Sequence, residues 1–281
     1  MILSMSNIAW APEERLEAYV AMADAGFTGL EIAPGLFFHS SKDAFVPREL
    51  EAREALAEIA DHGLRLVSMQ SLLFGVEGAG LFDGEMARAA LVEGMQRAID
   101  LAGRFGIPNL VFGSPAQRRV PDAMSMEQAL GEAAEVFRTL GDRAAKAGTT
   151  ITVEANPADY GTNFLTRLDE ALNFIDMVDH PAVAAILDLG AMHMNGEFDG
   201  VVQTLPKLTA KLNHVHVSEP DLAPAPANPT RLAPVLSGLA GQGYAKAISI
   251  EMRRPDSGLQ GVRSSIAALA KAADTGESVH A

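Results

Sequence analysis

Cysteine is absent from the 281-residue chain. That excludes a disulfide framework, a thiolate metal site and a cysteine nucleophile. Positive charge is scarce: 22 Lys and Arg stand against 36 Asp and Glu, a formal net charge of −14. Such a surface repels phosphate backbones, whereas non-specific DNA binding rests on the opposite sign, so no nucleic-acid partner is expected. Long hydrophobic runs are also missing. The apolar stretches are short and broken by charge, and the first residues lack a basic region followed by an apolar one, so neither a membrane span nor a signal peptide is expected. The reading is a soluble, cytoplasmic protein. No G-x-G-x-x-G turn follows the first strand candidate, which argues against a doubly wound dinucleotide-binding sheet.

What is present is regular. Hydrophobic residues make up 48% of the chain, enough for a large core. Short β-rich segments at 2–6, 29–33, 65–70, 109–113, 150–154, 184–188, 213–217 and 247–251 alternate with helical patterns such as those starting at Pro12, Ala87 and Met126. Several of these patterns close on a glycine shortly before the next strand, as at Gly26, Gly63, Gly106, Gly148 and Gly243. Eight βα units in a chain of about this length predict a (β/α)8 TIM barrel in the α/β class. The expected domain is single, 1–281, with a flexible tail over 275–281. The Ala/Pro-rich piece at 223–229 reads as a loop, not a boundary.

In a parallel barrel the chemistry lies at the C-terminal strand ends. The fifth strand ends at Glu154, the sixth at Asp188 and the eighth at Glu251; the seventh carries His214 and His216 two residues apart, hence on one face. Any one acid there is commonly a helix N-cap or a solvated loop start. Four successive strands ending in ligand types with the same parity predict convergence on one cation. Three carboxylates gathered in one low-dielectric place repel unless a cation neutralises them. Oxygen-rich ligation with one imidazole suits Mn²⁺, Mg²⁺, Co²⁺ or Zn²⁺. His216, nearer the strand end, is the expected ligand. His214 is read as a core histidine a layer below, hydrogen-bonded to its neighbours.

The segments VSMQSLLFG (67–75), LVFGSP (110–115), VEANPADYGTNF (153–164), LDLGAMHMNGE (187–197), HVHVSEP (214–220) and ISIEMR (248–253) occur in an order that resembles the xylose isomerase-like TIM barrels. That superfamily holds sugar phosphate isomerases and epimerases, ketose 3-epimerases and an AP endonuclease branch, and the resemblance spans essentially the whole chain. It implies a divalent metal, most often Mn²⁺, on Glu154, Asp188, His216 and Glu251. It also implies proton removal and return by Glu154 and Glu251 through a cis-enediolate of a small carbohydrate. Relatives are often homodimers or homotetramers. The sugar-reading positions depart from the ketose epimerase pattern. Ala191 stands where a His follows the metal Asp, Tyr160 where a Glu is usual, and Leu222 where an Arg is expected.

Substrate contacts are therefore sought among Trp10, Gln70, Ser114, Arg118, Asn156, Tyr160, His193, Glu219 and Arg253. These residues provide polar partners and an aromatic wall for a hydroxyl-rich ligand. Asn7, Phe37, Phe38 and Phe74 are further candidates. Glu31 is read either as a rim group or as a polar plug inside the barrel. The competing functions are a lyase or dehydratase using the same enediolate, a phosphodiester hydrolase disfavoured by charge, and a non-catalytic sugar-binding protein.

Overall fold

The computed structural model describes residues 1–277, the last three by their backbone alone. Eight strands are present: β1 (Ile2–Ser6), β2 (Gly29–Ile32), β3 (Arg65–Met69), β4 (Asn109–Phe112), β5 (Thr150–Val153), β6 (Val183–Asp188), β7 (Leu212–Val217) and β8 (Ala247–Ile250). They pair in chain order into a closed barrel, parallel at every resolved register, as the eight-unit reading expects. Between and after them run α1 (Arg15–Asp24), α2 (Pro34–Phe37), α3 (Glu49–Asp61), α4 (Glu85–Phe105), α5 (Met126–Ala147), α6 (Leu168–Val178), α7 (Leu189–Met194), α8 (Val201–Leu208), α9 (Pro229–Gly241) and α10 (Leu259–Glu277). Among the described residues no helix is long and apolar enough to cross a membrane.

The helix ends follow local chemistry. Helices α4 and α5 stop on Gly106 and Gly148, at φ +65° and +73°. That left-handed conformation costs a glycine little and lets the cap N–H turn back onto the last carbonyls. Backbone helix is described through Glu277, the first part of the expected tail at 275–281. The rest of that tail lies outside the described residues.

Contacts within the chain group into two compact units, Met1–Val67 with Asp188–Ala281, and Ser68–Leu187. In the first, α10 packs on α9 and α1. The exposed Arg254 pairs through two hydrogen bonds, 2.7 and 2.8 Å, with Glu14 at the start of α1. In the second, α5 packs on α4 and α6. Phe112, Phe137, Phe174, Phe164 and Phe82 meet edge-to-face there, with centroids 5.0 to 5.8 Å apart.

The strands bury many polar side chains. Ser4, Ser6, Glu31, Ser68, Thr152, His214, His216 and Ser249 are all fully buried. Bulky aliphatic layers are the usual filling of such a barrel; here the strands carry hydrogen-bonding groups, whose burial has to be offset by partners. Glycine makes the closest strand approach. A Cβ on Gly29 would lie 2.7 Å from Ser4 Cβ and 3.0 Å from Val67 Cγ2. Gly29→Ala is thus expected to destabilise the fold by about 1–3 kcal/mol through overpacking. Chemical denaturation reads this directly, and unchanged stability would show that β1 and β2 can part without cost.

Candidate metal centre

The base of the site is a buried carboxylate held by two histidines. Glu31, on β2, is fully buried in the otherwise apolar segment Gly-Leu-Glu-Ile. Its Oε2 lies 2.8 Å from His214 Nε2, and both its oxygens lie 3.0 to 3.1 Å from His216 Nε2. Burial alone would push the Glu31 carboxyl up, but His216 and His214 together hold it well below the usual carboxylate range. An ionised carboxylate only accepts hydrogen bonds, so the His216 proton at this contact is on Nε2. Nδ1 is then the nitrogen turned to the other side, where a neutral imidazole carries its lone pair. Nδ1 lies 3.1 Å from Glu251 Oε2 and 3.6 Å from Asp188 Oδ2.

Asp188 divides its oxygens. Oδ1 caps α7 by accepting from Ala191 N at 2.6 Å and also accepts from Ser218 Oγ at 3.0 Å. The Ser218 hydroxyl in turn accepts from Gly190 N at 2.8 Å. Oδ2 is the oxygen facing His216. The helix-cap reading of this strand-end aspartate thus holds for one oxygen, and the other is left facing the cluster. Glu251 lies one residue past β8 and is set by its own N–H, which donates to Val217 O at 3.0 Å.

Glu154 lies one residue past β5. Its N–H donates to Phe112 O at 3.1 Å, and its Oε2 accepts from Asn156 Nδ2 at 2.7 Å. Arg118 is not an open substrate contact as expected. It is fully buried, and its Nη2 donates to Glu154 O and to Asn156 Oδ1, each at 2.7 Å. Burial pushes its guanidinium down to about 10, against an opposing pull from Glu154, and it stays charged at neutral pH.

Among the described residues, Glu154, Asp188, His216 and Glu251 each offer one ligand atom, all within 4.8 Å of one another. These are the four expected residues. The set fits a divalent cation: three carboxylates repel unless neutralised, and the imidazole nitrogen among them is the one left as an acceptor by Glu31.

The remaining expected residues are distributed as follows. Trp10 is 3% exposed and packs edge-to-face on Tyr19, so it is core here and offers no sugar-stacking wall. Asn7 is buried and ties to the Ala33 backbone. Phe37 and Phe38 pack on each other in the core, whereas Phe74 is exposed. Gln70 and Asn156 are buried, and Ser114 and Tyr160 are half-buried. Ser114 has φ +45°, a strained backbone for a non-glycine residue, directly after β4 and Gly113. Arg253 is exposed. His193 is half-buried, stacks on Phe198 at 3.9 Å, and has Glu219 at 3.9 Å; burial keeps its imidazole below the usual range. Glu31 takes the second of its two expected places, a polar plug inside the barrel; what the sequence reading missed is its pairing with His214 and His216.

A model of the xylose isomerase-like TIM barrel family matches residues 20–272. No curated protein matches the chain. Among solved structures, the apo form of 3-keto-D-glucoside 4-epimerase, YcjR, from E. coli is 20% identical, with a TM-score of 0.75 over 95% of this chain and 98% of that one. An L-ribulose 3-epimerase is 16% identical, with a TM-score of 0.76 over 100% and 97%. D-Psicose 3-epimerase with D-tagatose from Clostridium cellulolyticum H10 is 16% identical, with a TM-score of 0.71 over 99% and 98%. At these identities the likeness is one of fold. Removing the Glu31 carboxylate tests the geometry below the cluster. Glu31→Gln is expected to weaken Mn²⁺ binding by about 10–100-fold. Isothermal titration calorimetry measures it, and unchanged affinity would reduce Glu31 to a packing group.

Proposed function

The chain belongs to the xylose isomerase-like TIM barrel family, and on that premise we propose that it is a divalent-metal-dependent isomerase or epimerase of a small keto sugar or sugar derivative. The observation that carries this reading is the group of three carboxylates and one imidazole within 4.8 Å. Glu154, Asp188, His216 and Glu251 would hold the metal, with Mn²⁺ the first choice. A divalent ion bound there supplies Lewis-acid stabilisation of negative charge on a substrate oxygen.

The chain's own residues supply proton transfer. Glu154 and Glu251 are carboxylates that follow different strands: Glu154 Oε2 is oriented by Asn156 Nδ2, and Glu251 is set by its N–H on Val217 O, with Oε2 3.1 Å from His216 Nδ1. In the proposed reaction one takes the proton from the hydroxyl-bearing carbon next to the carbonyl, and the other returns one to the resulting enediolate. A single enediolate thus accounts for isomerisation or epimerisation, depending on which carbon or face is reprotonated. Asp188 keeps one oxygen on the α7 cap, which makes it a positional ligand rather than a base. Solved structures with this fold, an L-ribulose 3-epimerase and a D-psicose 3-epimerase among them, support this substrate class.

The test is α-proton exchange followed by NMR in deuterated water, across ketoses, sugar acids and oxidised glycosides with Mn²⁺ present. Exchange is expected with at least one class, to be lost on chelation and regained on adding Mn²⁺ or Co²⁺. Glu154→Gln and Glu251→Gln should each lower it by at least about 100-fold. Full turnover after exhaustive chelation would end the reading, and a β-elimination product would reassign the enzyme as a lyase.

A further inference from the structure

Arg118 is a costly residue in its place. It is fully buried, and among the described residues it has no salt-bridge partner; its Nε and Nη1 have no hydrogen-bond partner either. A buried charge without a paired carboxylate is destabilising relative to an apolar side chain of the same size. The guanidinium spends its contacts through one nitrogen. Nη2 donates to the Glu154 carbonyl and to Asn156 Oδ1, each at 2.7 Å.

That second contact settles the orientation of Asn156. A guanidinium has donors only, so the amide must turn its oxygen to Arg118 and its NH₂ to the other side. There Nδ2 meets Glu154 Oε2 at 2.7 Å. Gly113 gives a third, independent constraint. Glu154 N–H donates to the carbonyl of its neighbour Phe112. A Cβ on Gly113 would lie 2.5 Å from Glu154 Oε2 and 3.5 Å from Asn156 Oδ1. The carboxylate occupies the room that the missing side chain leaves.

We infer that Gly113, Arg118 and Asn156 are positioning residues that hold the Glu154 carboxylate in a single orientation before any ligand binds. Arg118 acts through Asn156, whose flip it dictates, and Gly113 acts by its lack of a side chain. The inference builds on the metal role proposed for Glu154, but its outcome is read on Glu154 itself.

Asn156→Asp keeps the size and the acceptor for Arg118 while removing the donor to Glu154. Gly113→Ala removes the room. Metal-free crystal structures of the full chain and of these two variants report the Glu154 rotamer, and calorimetric titration with MnCl₂ reports its consequence. The expected result is a displaced Glu154 carboxylate in both variants, with Mn²⁺ affinity lowered by about 10–100-fold and the melting temperature of Asn156→Asp retained. Melting temperature is the readout a merely structural role would move. A Glu154 rotamer unchanged in both variants overturns the inference. If the native chain takes up no Mn²⁺ while the variants still displace Glu154, the metal-dependent function fails and the positioning role stands.

Discussion

The site depends on one buried charge, the carboxylate of Glu31. Removing an ionised carboxylate from water is expensive, and only donors aimed at it make the burial tolerable. His214 and His216 supply those donors from β7, with Nε2 atoms 2.8 to 3.1 Å away. β2 and β7 are not sheet neighbours; β1 and β8 lie between them in strand order. The contact therefore also ties β2 to β7 across β1 and β8 from inside. Its chemical consequence is a choice of tautomer. With Nε2–H committed to Glu31, Nδ1 is the nitrogen whose lone pair a neutral imidazole would offer to a cation beside Asp188 and Glu251.

The same economy governs the acids. A strand-end aspartate can cap the next helix or face a cation, and Asp188, with two oxygens, caps α7 with one and leaves the other turned to His216. Ser218 makes this division firm: it accepts from Gly190 N and donates to the capped oxygen. A Cβ on Gly190 would lie 2.9 Å from Ser218 Oγ and 3.0 Å from the Glu219 carbonyl oxygen, so the turn from β6 into α7 admits only glycine without a shift. Position and donor capacity in the cluster are thus set by the residues around it, not by the cluster alone.

That distinction explains what the sequence revealed. Strand period, glycine helix stops and the residue type at each strand end depend on local patterns, so the barrel and the four-residue cluster were legible, with Glu154 and Glu251 displaced from the strand ends by one residue. The roles of Glu31 and Arg118 depend on contacts between residues far apart in the chain: 185 positions separate Glu31 from His216, and 36 separate Arg118 from Glu154. Spacing along one strand does not encode such pairs. Trp10 illustrates the converse error. An aromatic just past a strand end looks like a wall for a sugar, but here it finds Tyr19 and is buried.

Charge bears on what the enzyme takes. Three carboxylates about one divalent cation leave a net negative group, and a phosphate ester brought to it would need cationic partners. The arginines near these segments are largely committed. Arg118 is closed off beneath Glu154, Arg231 pairs with Asp199 and lies over the Phe198 ring, and Arg254 is held by Glu14. His193, kept below the usual imidazole range by burial, adds no positive charge at neutral pH. Arg119 and Arg253 are the exposed arginines that follow β4 and β8. Within the proposed function this balance favours a neutral, hydroxyl-rich keto sugar over a phosphorylated one. It also gives a physical sense to Ala191, Tyr160 and Leu222, which stand where the ketose epimerase pattern carries a His, a Glu and an Arg. Three ionisable side chains are replaced by an apolar one, a phenol and an apolar one, so within that proposal recognition passes from charge to shape and neutral hydrogen bonds.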